Sequence, residues 1–241
     1  MPDDTSQKTQ ELEELQEATN RLVRTVDGFR GDDWTEASGL PGWSRAHVVA
    51  HLALNAEGLA GALTGIVQNE PTPMYTSQED RDRDIEELAQ TGDTAELRER
   101  LLAGCTLYAD AWSALPTDLG GSTFERTAGG PEIPAGATLG MRLREVEIHH
   151  ADLRAGYSHA DWPSRFREIL LGSMTRREWS EPFRVAPTDL DGTWTYGDGA
   201  EAGAGPTVTG PAADLGWWLT GRGSGEGLTS DSGTLPKVGA W

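Results

Sequence analysis

Four long segments of the chain repeat apolar residues at steps of three and four positions, which is the spacing of one face of an α-helix. The first segment shows the pattern with Leu12, Leu15, Leu22, Val26 and Phe29. Amphipathic helices bury such faces against one another, so the pattern predicts an antiparallel four-helix bundle over residues 1 to about 157. The four helices are predicted at residues 9–29, 44–67, 94–115 and 137–155, with a shorter helix at 77–89.

The residue pattern changes after Trp162, where short runs typical of β-strands alternate with turn residues. We predict helices at 165–179 and 211–221, the second ending at Gly221, and strands within 183–189, 192–199 and 207–210. Before the last bundle helix, a glycine- and proline-rich loop is predicted to hold short strands around Phe124 and Ile133. The expected fold class is therefore α+β, with a helical bundle at residues 1–160 and a smaller α+β domain at 161–241.

Charge and cysteine content narrow the classes of function. The formal net charge is -19, which opposes binding to nucleic acid phosphates. Cys105 is the only cysteine, so no internal disulfide can form, and the N-terminus lacks the pattern of a signal peptide. No apolar run reaches the length of a membrane span. We expect a cytoplasmic monomer that binds neither nucleic acid nor membrane.

The histidines form the most suggestive chemical pattern. They occur as two pairs, His47 with His51 and His149 with His150, and His159 stands apart. Residues four apart share a helix face, so Glu145 and His149 can both face one ion. A histidine from the second helix would complete a His, His, Glu set, the ligand mix of zinc sites that keep an open position for water or substrate.

Spacing alone leaves alternatives open for this set. His47 competes with His51 as the ligand from the second helix, and that pair could bind a metal without Glu145. In the later helix, His150 falls near the centre of the apolar stripe, which favours a packing role, whereas Glu145 and His149 fall on its flank. Capping or solvated side chains show the same spacing.

Four blocks of the sequence carry a family resemblance. They are "GLPGWSRAHVVAHLALNAEGLAGAL" at 39–63, "TPMY" at 72–75, "MRLREVEIHHADL" at 141–153 and "GRGSGEGLTSDSGTLP" at 221–236. The first block recurs in many DinB-like metal-binding proteins. Together, and in this order, the blocks resemble the mycothiol-dependent maleylpyruvate isomerases. The resemblance implies a DinB-like helical bundle followed by a smaller α+β domain.

The resemblance also implies site residues and cofactors. It assigns the zinc ligands to His51, Glu145 and His149, and so selects His51 over His47. It matches Arg222, in "TGRGSG", to an arginine that binds the anionic substrate or the thiol, although glycines beside an arginine also suit an ordinary turn. Asp152 lies one turn after His149. It is a candidate for orienting His149 through a hydrogen bond, and it also fits the pattern of an ordinary solvated acid.

The implied reaction is the cis-trans isomerisation of maleylpyruvate to fumarylpyruvate in gentisate-type aromatic catabolism. A double bond does not rotate freely, and reversible addition of a thiolate removes it temporarily. Cys105 lies between Leu102 and Leu107 of a predicted helix, where a cysteine usually serves packing. The resemblance therefore implies an external thiol, mycothiol, activated by zinc, with Arg222 pairing with negative charge.

Two other functions fit the same residues. A mycothiol S-transferase would share the metal and the thiol but act on another electrophilic metabolite. A non-catalytic metal-binding regulatory protein would share only the fold, since fold does not fix function. Thiol-dependent turnover of maleylpyruvate distinguishes the isomerase from the S-transferase. A metal coordination position open to water or thiol argues against the non-catalytic protein.

Overall fold

The computed structural model describes residues 4–91 and 93–239. The chain divides into two compact units, Met1–Gly156 and Tyr157–Trp241. The boundary predicted from the sequence lies four residues further along, between 160 and 161. The α+β fold class is confirmed by helices in both units and two small sheets.

The first unit is built on four long helices that pack around a common core. The long helices are α1 (Asp4–Gly28), α2 (Arg45–Gln68), α4 (Thr94–Ser113) and α5 (Thr138–Asp152), and a shorter helix, α3 (Gln78–Gln90), follows α2 in the chain. Helices α1 and α2 each pack against both α4 and α5, and the shorter α3 lies against α2. The short strands predicted around Phe124 and Ile133 are present, as β1 (Thr123–Glu125) and β2 (Glu132–Pro134), and they pair antiparallel with Phe124 opposite Ile133.

Helix α2 is the central helix of this unit. Because three helices cover it, Val48, Leu52 and Leu59 are completely buried. Ser44 is its N-cap residue, as predicted, and forms a capping box with His47 in the first turn. Asn69 ends the helix in the left-handed conformation.

The start of α2 is joined to the end of α5. Arg45 Nε donates to the carbonyl of Leu153 at 2.8 Å, and Arg45 Nη2 donates to the carbonyl of Arg154 at 2.9 Å. These bonds satisfy carbonyls that a helix leaves unpaired at its C-terminus. The backbone N–H of Gly39 donates to the carbonyl of Asp152 at 2.6 Å, and a Cβ at position 39 would lie only 3.1 Å from that side chain.

The second unit pairs two helices with a mixed sheet. Its elements are α6 (Ser164–Met174), β3 (Phe183–Pro187), β4 (Trp194–Tyr196), β5 (Thr207–Gly210), α7 (Ala212–Leu219) and β6 (Thr229–Ser230). The strand order is β4-β3-β5-β6, in which only β3 and β5 pair in parallel. Helices α6 and α7 pack together, α6 contacts β4, and α7 contacts β3 and β5.

The structure differs from the sequence prediction in several details of its elements. Helix α5 ends at Asp152 rather than near 155, because Arg154 takes a positive φ of 51°. Helix α6 ends at Met174 rather than 179, and the indole of Trp179 donates instead to the Met174 carbonyl. The short strand β6 was not predicted. Among the described residues, no helix has the length and apolarity that crossing a bilayer requires.

Candidate metal centre

His51, Glu145 and His149 lie together in the first unit. Each residue offers a ligand atom within 4.8 Å of the other two. His51 Nε2 lies 2.8 Å from Glu145 Oε2, and His149 Nε2 lies 3.4 Å from the same oxygen. The two imidazole rings meet edge to face, with centroids 4.6 Å apart. The three residues that the sequence resemblance selects are therefore neighbours in space.

Two neighbouring helices produce this cluster. Glu145 and His149 are one turn apart on α5, so both side chains leave the same face. Helix α2 packs against α5 and brings His51 to that face. The side chains of His51 and His149 are 5% and 7% exposed and that of Glu145 is 21% exposed, so Glu145 is the member of the cluster with the most solvent contact.

The Nδ1 atoms of the two histidines have opposite kinds of neighbour. His149 Nδ1 lies 2.8 Å from Oδ2 of Asp152, which is fully buried. His51 Nδ1 lies 3.1 Å from Nη2 of Arg81. Because a carboxylate accepts a hydrogen bond from an N–H group, Asp152 holds a proton of His149 on Nδ1 and directs Nε2 toward Glu145. Asp152 thus makes the orienting contact that the sequence left open.

These surroundings separate the pKa values of the cluster. Burial lowers the pKa of His51 to about 4, and the positive charge of Arg81 acts in the same direction. Burial alone would lower the pKa of His149, but hydrogen bonds with Asp152 and Glu145 raise it above its ordinary value. Burial would raise the pKa of Glu145, yet both histidines hold it well below its usual range. A neutral His51 and an ionised Glu145 are the forms that ligate metals.

The donor set fits a zinc ion. Ligand atoms about 2.0–2.1 Å from a tetrahedral zinc lie about 3.3 Å from one another. The Glu145–His149 separation of 3.4 Å matches that edge, and the His51–Glu145 separation of 2.8 Å requires only a small spread. Two imidazoles and one carboxylate leave a fourth position for an exchangeable ligand.

An aromatic and cationic wall borders the cluster. The ring of Trp43 lies 5.7 Å from the ring of His51. The guanidinium of Arg81 lies 5.8 Å from the centre of the Tyr75 ring. Burial and the negative charge of Glu145 raise the pKa of Tyr75, so its hydroxyl remains a hydrogen-bond donor at neutral pH. Arg81 therefore supplies N–H donors and Tyr75 an O–H donor for a negatively charged ligand.

Sequence reasoning missed Arg81 and Tyr75, because both are distant from the histidines along the chain. A signal for Arg81 was nevertheless present. It precedes the buried Ile85 by four residues and the buried Leu88 by seven, so it occupies the inward face of α3. An arginine in an apolar stripe is costly unless it has a partner or a function.

His47 and His150, the remaining histidines of the two pairs, make contacts that serve the fold. His47 Nδ1 accepts the backbone N–H of Ser44 at 3.2 Å and completes the capping box of α2, while its Nε2 lies 3.1 Å from Glu86. His150 is 1% exposed, and its Nε2 lies 2.8 Å from Thr25 Oγ1 of α1. His150 therefore packs in the core, as the helical wheel predicts.

Arg222 belongs to the second unit, in the turn that follows α7. Helix α7 ends at Leu219, two residues before the predicted Gly221, and Gly221 takes a φ of 72° in the turn that follows. The Arg222 guanidinium lies 6.0 Å from the centre of the Trp217 ring, and its Nη1 donates to the carbonyl of Thr220 at 3.3 Å. The side chain is half-buried. Its role at the metal centre stays a prediction.

Comparisons with known proteins point to one family. A family model described as the mycothiol maleylpyruvate isomerase N-terminal domain matches residues 15–154, which contain the whole cluster. A crystal structure of the mycothiol-dependent maleylpyruvate isomerase is 28% identical with a TM-score of 0.85, and one of a histidine-to-alanine mutant is 28% identical with a TM-score of 0.84. Each comparison covers 97% of this chain and 96% of the other. A search among curated proteins gave no match.

Proposed function

The chain belongs to the mycothiol maleylpyruvate isomerase family, and from this membership we propose that it is a zinc- and mycothiol-dependent cis-trans isomerase that converts maleylpyruvate to fumarylpyruvate. One observation carries the proposal: His51, Glu145 and His149 form a largely buried cluster inside the region that the family model matches. The similarity to the solved isomerase extends over 97% of the chain and therefore includes both units, which supports the same activity for the whole protein.

A zinc ion bound at this cluster would supply a Lewis acid that lowers the pKa of a thiol. The protein contributes the ligand geometry. Asp152 keeps the proton of His149 on Nδ1, which fixes both the tautomer and the direction of the ring. Burial keeps His51 neutral at neutral pH, which is the form of imidazole that binds a metal.

The position of the chain's own cysteine favours an external thiol as the nucleophile. Cys105 lies on α4, outside the metal-ligand cluster, and its Sγ lies 3.5 Å from the Arg142 guanidinium. The isomerisation consumes no thiol, because the thiol adds to the conjugated double bond, allows rotation about the single bond and leaves again. Mycothiol is therefore regenerated in each turnover.

Two arginines are proposed to bind the negative charge of the substrate or the thiol. Arg81 lies beside His51 in the first unit. Arg222 is the arginine that the sequence resemblance selects in the second unit. A guanidinium donates two parallel hydrogen bonds to a carboxylate, which both binds it and orients it.

The proposal is tested by assaying the purified protein with maleylpyruvate, with and without mycothiol, while zinc content and free thiol are measured. We expect isomerisation only when both zinc and mycothiol are present, with the thiol recovered in full. Consumption of thiol without isomerisation would identify an S-transferase. Bound zinc without thiol-dependent turnover of any electrophile would favour a non-catalytic metal-binding protein.

Ligand variants test the metal assignment separately. His51→Ala and His149→Ala are expected to lose stoichiometric zinc together with activity, because each removes one of three protein ligands. Their folding is checked by circular dichroism. Stoichiometric zinc in both variants would show that the ligands are wrong, whatever the substrate is.

A further inference from the structure

A groove between α1 and α4, floored by α5, lies apart from the metal centre. We call it the α1–α4 groove. Its volume is about 260 Å³, close to the lower end for small-molecule sites. His51, Glu145 and His149 are not among its lining residues. The residues that matter for its chemistry are Leu12, Val23, Leu102, Cys105, Tyr108 and Arg142.

Arg142 is the charged group of the α1–α4 groove. It comes from α5 and is 1% exposed. Its Nη1 donates to the Leu52 carbonyl at 2.9 Å and to Asn55 Oδ1 at 2.8 Å, and its Nη2 donates to Cys105 Sγ at 3.5 Å. None of these acceptors is a carboxylate, and no ion pair of Arg142 occurs among the residues that the structure describes.

This arrangement is unusual for a buried guanidinium. Arginine stays charged in proteins, and burying a charge without a counter-ion costs several kcal/mol. Other arginines of the same unit have acidic partners: Arg21 pairs with Glu147 at 2.6 Å, and Arg45 with Glu36 at 2.7 Å. Arg142 has hydrogen bonds but, within the described ranges, no carboxylate at ion-pair distance. A negatively charged ligand in the groove would provide one.

A second polar group lines the same groove. Tyr108 is 2% exposed, and its hydroxyl lies beside the Thr138 side chain without a well-formed hydrogen bond in the described part of the chain. Buried polar atoms normally have a partner, so this hydroxyl is available to one that enters the groove. Apolar residues make up much of the remaining wall, which also includes Gln16, Thr19, Asn20 and Thr106, and Leu102 at the edge of the groove is 46% exposed.

We propose that the α1–α4 groove is a second ligand site, for a small carboxylate that carries an apolar aliphatic or aromatic group. The carboxylate pairs with Arg142 and accepts from Tyr108, and the apolar group covers Leu12, Val23 and Leu102. The site does not depend on the metal centre, so the proposal stands apart from the isomerase function.

The test uses the full chain with hexanoate as the probe and 1-hexanol as its uncharged counterpart. Isothermal titration should show hexanoate binding at least about tenfold tighter than 1-hexanol, because only the carboxylate pairs with the guanidinium. The affinity should be equal in zinc-loaded and chelator-treated protein, which separates the groove from carboxylate binding at zinc.

Cys105 reports where the ligand sits. It is the only cysteine and lines the groove, so saturating hexanoate should slow its alkylation by iodoacetamide. Ala109→Trp fills the groove from α4 and should remove both binding and protection. Ala103→Trp is the matched control, because Ala103 is exposed on the same helix and does not line the groove.

Three results would each overturn the proposal. They are hexanoate binding no tighter than 1-hexanol, binding that disappears with the zinc, and alkylation of Cys105 that hexanoate leaves unchanged. All three are measured on the unsubstituted protein, so they hold even where Ala109→Trp fails to fold.

Discussion

Replacing Asp152 with asparagine tests how its carboxylate supports the metal site. The side chain is completely buried, and its Oδ2 lies 2.8 Å from His149 Nδ1. A hydrogen bond to a charged group contributes about 1.5–3 kcal/mol, and a neutral one about 0.5–1.5 kcal/mol. Asparagine keeps the shape and one acceptor oxygen, so the difference of about 1–1.5 kcal/mol predicts about tenfold weaker zinc binding.

The loss should depend on pH in a defined direction. Burial alone would lower the pKa of His149, but Asp152 and Glu145 raise it, so a proton competes with zinc for Nε2 below that raised pKa. In Asp152→Asn one of the two carboxylates is gone, and His149 releases its proton at lower pH. The deficit in affinity is therefore largest above the pKa of His149 in the unsubstituted protein and shrinks as the pH falls below it.

Competition with a fluorescent zinc chelator, measured from about pH 5.5 to 8, checks both the size and the direction of the effect. Asp110→Asn is the control, since Asp110 is an exposed acid on α4, outside the cluster. Unchanged zinc affinity at high pH, or a deficit that stays constant at every pH, would refute the assignment of Asp152 as the residue that orients His149.

Three further predictions concern residues around the site. Arg222→Ala should keep the fold and the zinc while kcat falls, and unchanged kinetics would make Arg222 only a turn residue. Arg81→Ala should raise the KM for maleylpyruvate about tenfold at unchanged zinc content, as expected for a lost charge-assisted hydrogen bond; Arg83→Ala, on the exposed side of the same helix, should not. His47→Ala should cost about 1 kcal/mol of stability in thermal unfolding, because it removes half of a capping box. Loss of zinc in that variant would restore His47 as a candidate ligand.

The helices of the bundle could be predicted because their signals are local. Apolar spacing located α2, and Ser44 marked its start. The ends were predicted less well because contacts from distant residues set them. The end of α6 depends on Trp179, whose ring packs against Phe183 and Tyr196 of the sheet instead of extending the helix.

The metal cluster could be predicted only in part from spacing. Glu145 and His149 follow from the period of one helix. His47 and His51 are equivalent by that argument, and the structure distinguishes them because His47 completes the cap at Ser44 while His51 faces α5. Arg81 reaches the cluster from α3, a tertiary contact that no local pattern specifies.

Arg45 has a consequence for how the protein handles its metal. By bonding the carbonyls of Leu153 and Arg154, it fastens together the two helices that carry His51 and His149, close to both ligands. Zinc fingers obtain their fold from the metal and lose it to a chelator. Here the scaffold is maintained by the chain itself, so chelation is expected to empty a formed site. Activity should then return on adding zinc without a refolding step, which makes metal supply a reversible control of turnover.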